Sequence, residues 1–372
     1  MEYPLKSRQI CLFLIAFMPI TKLFMMPSVV AAVTGEDIWI STLTNFLADF
    51  LTLSVLVLCC KKNDCDFFTL LSRNYGTVVA KAVYLLYFVF FLLKSVLPVC
   101  ELNDYIELSL YINMPSIVYF LPFFFVAFYL LTKHLRVLGR LADITWFLSV
   151  MGVIMLIGLS VENVDFGAIM PVGAHGIKNI LAGSYKSLVW FGDGVYMLFF
   201  MGKFGYKKRD YIKIAVSYGI TALITIFFMI IFYGTFLSIS FRQRFALTDI
   251  SKYSTVINNI GRFDYIAIFC IIIAETVGVS LPLYFANYTF SHVVTIKKKW
   301  IMPLIICAAV LSVVYFLEQY FKSIEYFFIN TVNPMFIIMG NVIPVLSVFL
   351  PCRRAVHTNF EKIKGGALDE NS

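Results

Sequence analysis

Long apolar runs alternate with short polar connections over almost the whole chain. A bilayer core of about 30 Å needs about 20 apolar residues to cross it as a helix. Runs of this kind recur at Ile10–Val33, Ile38–Cys60, Thr77–Pro98, Pro115–Thr132, Ala142–Ser160, Ser184–Met201, Ile212–Leu237, Asp264–Tyr288, Ile301–Leu317 and Ile329–Leu350. The pattern predicts an all-α integral membrane protein with ten transmembrane helices. The longest connections, Val161–Gly183 and Ser238–Arg262, leave no room for a soluble domain. The first run is too long for a signal-peptide core and lacks a small-residue cleavage site, so it reads as a retained first span. The chain is expected to be one transmembrane domain over residues 1–372, with residues 361–372 as a polar cytoplasmic tail.

Two of the ten runs are interrupted. Segment 1 carries Met26-Pro27-Ser28 and segment 6 carries Gly192-Asp193-Gly194. These segments open the two halves of a five-plus-five layout, with inverted repeats over approximately 7–160 and 184–350. Interrupted helices at corresponding positions of two halves point to a transporter-type binding site at the bilayer midplane. Proline removes a helical donor and clashes with the preceding turn. Two glycines weaken the helix around Asp193. Helices restarting after Ser28 and Gly194 would aim their positive ends at the breaks, and freed carbonyls would face an ammonium group. An amino acid fits such a zwitterion site. The plainer reading is a proline kink and a glycine packing surface, since both residues are common in membrane helices.

Charge inside the spans narrows the site. Lys22, Asp49, Asp193 and Glu275 fall close to mid-span. Each costs ~2.5–3.5 kcal/mol at a helix centre, so each is expected to face the bundle or water. Asp193 is the leading site residue because it lies in the break itself. Glu275 is expected to pair with Lys22 or relay protons. Asp49 serves either a neighbouring helix or the site. Lys81 and Lys94 lie near span ends and are expected to snorkel. Trp190 directly precedes the second break and is a candidate pocket wall.

Composition supports the membrane reading: 60% of residues are hydrophobic and 14% charged, against about a quarter charged in soluble domains. The net charge of +8 reflects where the basic residues lie rather than affinity for nucleic acid. With the N-terminus inside, 20 of the 30 Lys and Arg residues fall in cytoplasmic segments, 7 outside and 3 within spans. This bias places both termini in the cytoplasm. The outside connections include acidic stretches, Glu36-Asp37 and Glu101…Asp104…Glu107, and Ile106–Ile112 is a candidate membrane-surface segment. Eight cysteines lie mostly on the cytoplasmic side or within spans, which argues against a disulfide framework. The four histidines share no metal-ligand spacing. No phosphate loop, zinc-protease motif or nucleophile elbow appears, so neither an enzyme nor a bound cofactor or metal is expected.

Local motifs add a family resemblance. Pro27-Ser28…Gly35-Glu36-Asp37-Ile38-Trp39-Ile40-Ser41 resembles the opening of the spore germination permease family. Arg136…Gly139-Arg140 resembles that family's basic connector before segment 5. Met170-Pro171…Gly176-Ile177-Lys178-Asn179-Ile180-Leu181-Ala182-Gly183 resembles the stretch before its sixth helix. Members are B subunits of nutrient germinant receptors in endospore-forming bacteria. The resemblance implies the amino acid–polyamine–organocation superfamily and its five-plus-five fold. It also implies an A subunit and a lipoprotein C subunit as partners, and a place in the spore inner membrane. The expected function is recognition of a small nutrient, an amino acid, that helps trigger germination. The alternative is a secondary amino-acid transporter coupled to H⁺ or Na⁺; a third reading is a structural or ion-conducting subunit with a vestigial pocket. Lys22 departs from coupled transporters, because its fixed ammonium lies near where they often bind a cation.

Overall fold

The structure, a computed structural model, describes residues 5–62, 65–109, 116–252, 264–294, 298–317 and 320–349. The expected tail at 361–372 lies outside them, as do parts of two connections expected outside the membrane, 110–115 and 253–263. Among the described residues the chain is helical, with one isolated bridge between Leu5 and Phe204 in place of any sheet. Six helices are long and apolar enough to cross a membrane, and two shorter apolar helices, Phe120–Thr132 and Ile301–Phe316, accompany them. This is a multi-pass membrane protein.

In chain order the helices are α1 (Ser7–Leu12), α2 (Met26–Thr34), α3 (Ile38–Lys62), α4 (Phe67–Tyr75), α5 (Thr77–Ser109), α6 (Ser116–Thr132), α7 (Leu135–Ser160) and α8 (Gly176–Ser187). Then follow α9 (Val195–Phe200), α10 (Asp210–Phe236), α11 (Ala246–Lys252), α12 (Asp264–Val293), α13 (Ile301–Leu317), α14 (Phe321–Phe327), α15 (Asn333–Ile337) and α16 (Ile343–Val348). Apolar side chains cover both the buried faces and a broad lipid-facing surface, for instance Leu51, Phe125 and Leu223. Such all-round hydrophobicity is what a membrane span needs. The α5–α12 and α7–α12 packings are the most extensive, so α12 is a central post of the bundle.

Two of the boundaries that differ from the sequence reading bear on the site. α5 does not stop at Pro98 but runs on to Ser109. The acidic stretch expected in an outside loop is therefore helical, with Glu101 and Asp104 buried. Proline costs a helix one hydrogen bond and a clash at the residue four back. A membrane helix tolerates this where neighbours satisfy the freed group. Secondly, α2 and α3 join through a single tight turn at Gly35–Asp37, giving one helical run over Met26–Lys61.

The family motifs form a packing seam between α3 and the α8 region. Asp37, fully buried, accepts from the backbone N–H groups of Gly173 (2.6 Å) and His175 (3.3 Å). Ser41 Oγ donates to the Ile180 carbonyl at 2.9 Å, and Asn45 Nδ2 donates to the Ser184 carbonyl at 2.9 Å and Ser187 Oγ at 2.8 Å. A Cβ on Gly183 would run into Thr34 Cγ2, so any larger residue would force Thr34 or the helix to shift. The seam holds segment 6 at a fixed height against α3, which sets the position of its break.

Candidate recognition site at the paired helix breaks

Segment 6 is interrupted close to where its glycines predict. After α8 a tight 3₁₀ turn covers Leu188–Trp190, residues Phe191–Gly194 leave the helix, and α9 begins at Val195. Gly192 has φ +79°, a backbone state that L side chains rarely adopt. The lost helical partners are replaced by side chains from two other helices. Asp49 Oδ2, from α3, accepts from the N–H groups of Gly192 (2.8 Å) and Asp193 (3.1 Å). Lys94 Nζ, from α5, donates to the Phe191 carbonyl at 2.6 Å. Asp49 thus organises the break, which joins the two roles left open for it.

Segment 1 breaks earlier than Pro27 suggests. α1 continues through a wide π turn at Phe13–Phe17 and a 3₁₀ turn at Ile20–Lys22, and helical structure stops at Leu23–Met25. Met26, Pro27 and Ser28 are the first turn of α2 rather than the break. The first N–H groups of a helix lack helical partners, so proline costs nothing there. Ser28 Oγ donates to the Met25 carbonyl at 2.7 Å. The Phe24 carbonyl accepts from the N–H of Ala246 at 3.0 Å, so the start of α11 seals the break.

The two breaks meet over a buried group of charges. Lys22 Nζ donates to the Met18 carbonyl at 3.0 Å and to Asp193 Oδ2. Lys94 Nζ lies 3.1 Å from Asp193 Oδ1. Asp193 is therefore clamped by two ammonium groups, one from segment 1 and one from α5. Lys22 is fully buried, and Asp49, Lys94 and Asp193 are nearly so. Two cations and two carboxylates balance within the cluster. The Phe191 ring also faces the Lys22 ammonium, 5.2 Å from its centroid. A cavity of about 30 Å³ remains beside Lys94 and Asp193, space on the order of one water molecule. The protein's own ammonium groups fill the site in this conformation.

Glu275 does not join this cluster. The expected Lys22–Glu275 pair is replaced by Lys22–Asp193, because the turn at Ile20–Lys22 brings Lys22 to the segment-6 break. Both Glu275 carboxylate oxygens are buried without a hydrogen-bond partner among the described residues. Trp190, buried beside the break, donates from Nε1 to Glu101 Oε1 at 2.8 Å.

Lys94 is the site residue that the sequence reading missed. Ending the span at Pro98 put Lys94 near a membrane surface; the true helix places it in the middle. The available signal is the spacing itself. Proline removes the hydrogen bond to the carbonyl four residues back, and four residues before Pro98 is Lys94. Pro98 and Pro282 both line the small central cavity. Among the described residues no group of His, Cys, Asp and Glu has the arrangement to hold a metal ion.

Comparison with known proteins follows the same lines. The family model for spore germination proteins matches residues 5–347. The chain belongs to that family, the spore germination permeases. No curated protein matches the sequence. Among solved structures, two mutants of the Eremococcus coleocola manganese transporter share the fold with a TM-score of 0.58 and 9% identity, over 92% of this chain and 78% of theirs. The same transporter in complex with an aromatic bis-isothiourea substituted compound gives a TM-score of 0.53 and 11% identity, over 91% and 78%. At such identities the likeness shows a transporter fold and not a cargo. The permease family and this fold together make the chain a germinant receptor or permease component rather than an enzyme.

Proposed function

We propose that this spore germination permease is the B subunit of a nutrient germinant receptor. It recognises a small nutrient, an amino acid, at the paired breaks and so helps trigger germination. The observation that carries this reading is the Lys22 ammonium held between the Met18 carbonyl and Asp193. It ties segment 1 to segment 6 with a fixed cation where a coupled transporter would use a mobile one. Buried charges at membrane depth are costly and mark functional sites. A ligand ammonium would displace Lys22 from Asp193, and rearrangement of the two broken segments around the ligand held by Asp193 would be the signal. Asp49, Gly192 and Gly194 shape the break; Met26, Pro27 and Ser28 form the start of the helix opposite. In this proposal ten spans form a five-plus-five inverted repeat in the spore inner membrane. Both termini are cytoplasmic, and an A subunit and a lipoprotein C subunit lie alongside.

The test is the nutrient dose–response of spores carrying Asp193→Asn at matched protein abundance. A shift to higher nutrient concentration is expected; an unchanged curve would remove Asp193 from recognition. The alternative, a secondary amino-acid transporter coupled to H⁺ or Na⁺, is favoured by the transporter fold alone. Substrate-driven ion flux in proteoliposomes would establish it over the receptor. Topology has its own check. A single cysteine at Lys178, which is exposed, should label from outside, and one at Lys298 only after permeabilisation.

A further inference from the structure

The central site is closed, yet a cavity of about 660 Å³ lies on the α2 side of the segment-1 break. Met25 and Ser28 form its floor, and Lys186, Arg242, Arg244 and Glu325 are among the side chains around it. We infer that this cavity is an outer capture site for a small anionic ligand bearing a carboxylate. The inference rests on the reading of the paired breaks as the recognition site, since it describes how a ligand arrives there.

The argument begins with charge. Three basic side chains and one acidic one surround the cavity. Neither Lys186 nor Arg242 forms an ion pair among the described residues. Arg244 is held in place by Asp104 of α5, with Nη2 2.6 Å from Oδ2. Asp104 is itself buried, so the guanidinium is fixed at the cavity wall rather than free to sweep through solvent. An excess of one sign of charge between low-dielectric walls concentrates the opposite ion. Guanidinium groups match the two oxygens of a carboxylate.

Position gives the charge a purpose. Lys186 lies in the last turn of α8, just before the turn that leads into the segment-6 break. Arg242 and Arg244 lie on the connection whose next residues, Phe245 to Leu247, are buried and whose Ala246 N–H seals the Phe24 carbonyl. A ligand held by these cations would touch both broken segments and the connection that closes one of them. The difference between 660 Å³ outside and about 30 Å³ at the centre separates arrival from engagement. A carboxylate is captured first; access to Asp193 requires the break to open.

The experiment uses the purified full chain in nanodiscs at low salt, with thermal melting as readout. The probes are L-glutamate, its neutral isostere L-glutamine, and L-lysine. L-Glutamate should raise the melting temperature, L-glutamine less, and L-lysine not at all. The double variant Lys186→Ala/Arg242→Ala should need at least about tenfold more L-glutamate for the same shift. Both side chains are exposed, so its melting temperature without probe should match the parent. No shift with L-glutamate, an equal shift with L-lysine, or a glutamate shift that survives the double variant would overturn the proposal. Asp193→Asn, run in parallel, separates the two failures. If the glutamate shift survives the double variant but is lost in Asp193→Asn, the outer site is wrong and the central reading stands. If the shift depends on Lys186 and Arg242 while Asp193→Asn leaves the spore dose–response unchanged, the capture site stands and the central reading falls.

Discussion

The two breaks look alike in sequence and are held open in different ways. The segment-6 break is supported by side chains: Asp49 takes two of its N–H groups, Lys94 takes the Phe191 carbonyl, and Asp193 sits between two ammonium groups. The segment-1 break is closed by uncharged donors, the Ala246 N–H on the Phe24 carbonyl and the Ser28 hydroxyl on the Met25 carbonyl. The first arrangement depends on charge and can be unlocked by a charged competitor. The second depends on a neighbouring connection, so it responds when that connection moves. In the proposed receptor the segment-6 break is thus suited to sensing and the segment-1 break to following.

The largest effect should come from Asp193. Asp193→Asn leaves two buried ammonium groups without their carboxylate, and breaking a buried pair in this way costs about 3–5 kcal/mol. Unfolding in detergent should show a loss of that order. Adding Lys22→Met should restore part of it, since one stranded cation is gone; purely additive losses would argue that the tether is not a coupled unit. Asp49→Ala should follow, at about 1–3 kcal/mol for unsatisfied buried N–H groups. Amide hydrogen exchange should rise at Gly192 and Asp193 in that variant and stay unchanged at Leu23–Met25. Equal protection loss at both breaks would erase the distinction between them.

How much of this was legible in the sequence follows from the same chemistry. The all-helical membrane character was readable because lipid demands long apolar runs, and the segment-6 break because Gly-Asp-Gly is a poor helix in any context. That weakness is what draws attention to Asp193. Pro27 misled by two or three residues: proline marks both helix breaks and helix starts, and only the hydrogen bonds of the following turn decide which. Lys94 escapes the pattern because Pro98 reads as the end of a span. Neighbouring helices satisfy what the proline frees, and that compensation is tertiary. The Lys22–Asp193 pair was out of reach for a related reason. Lys22, Asp49, Asp193 and Glu275 stand out in the sequence, but which of them meet depends on the turn at Ile20–Lys22; Pro19 directly before it weakens the helix there, and only the fold shows which partner the turn reaches. The seam motifs were recognised as characteristic stretches; that Gly183 meets Thr34 across them needed the fold.

A smaller effect is expected at Gly192. Alanine there must hold φ near +79°, at a cost of about 1–2 kcal/mol. Its Cβ meets no close neighbour, with the nearest atom, Gly340 Cα, 3.5 Å away, so the cost is conformational rather than steric. The spore dose–response should move along with stability, because relief of the strain lets the break close into helix and withdraws the N–H groups from Asp49. A Gly192→Ala protein with parental stability and response would show that the left-handed turn is incidental.

Pro27→Ala should have the smallest effect, and it sharpens the comparison most directly. Pro27 lies in the first turn of α2, where the missing N–H has no helical partner to lose. Its contribution is chiefly to the unfolded chain, whose freedom it restricts, so alanine should cost only about 0.4–1 kcal/mol. The break at Leu23–Met25 precedes the proline and is closed by Ala246 and Ser28, neither of which the substitution touches. The nutrient dose–response of Pro27→Ala spores should therefore overlay the parent, while that of Gly192→Ala spores shifts. If Pro27 were what breaks segment 1, alanine would let α1 run on into α2 and pull Lys22 away from Asp193. The response would then change at least as much as in the Gly192 variant. That outcome would make the two breaks equivalent and undo the division between a sensing side and a following side.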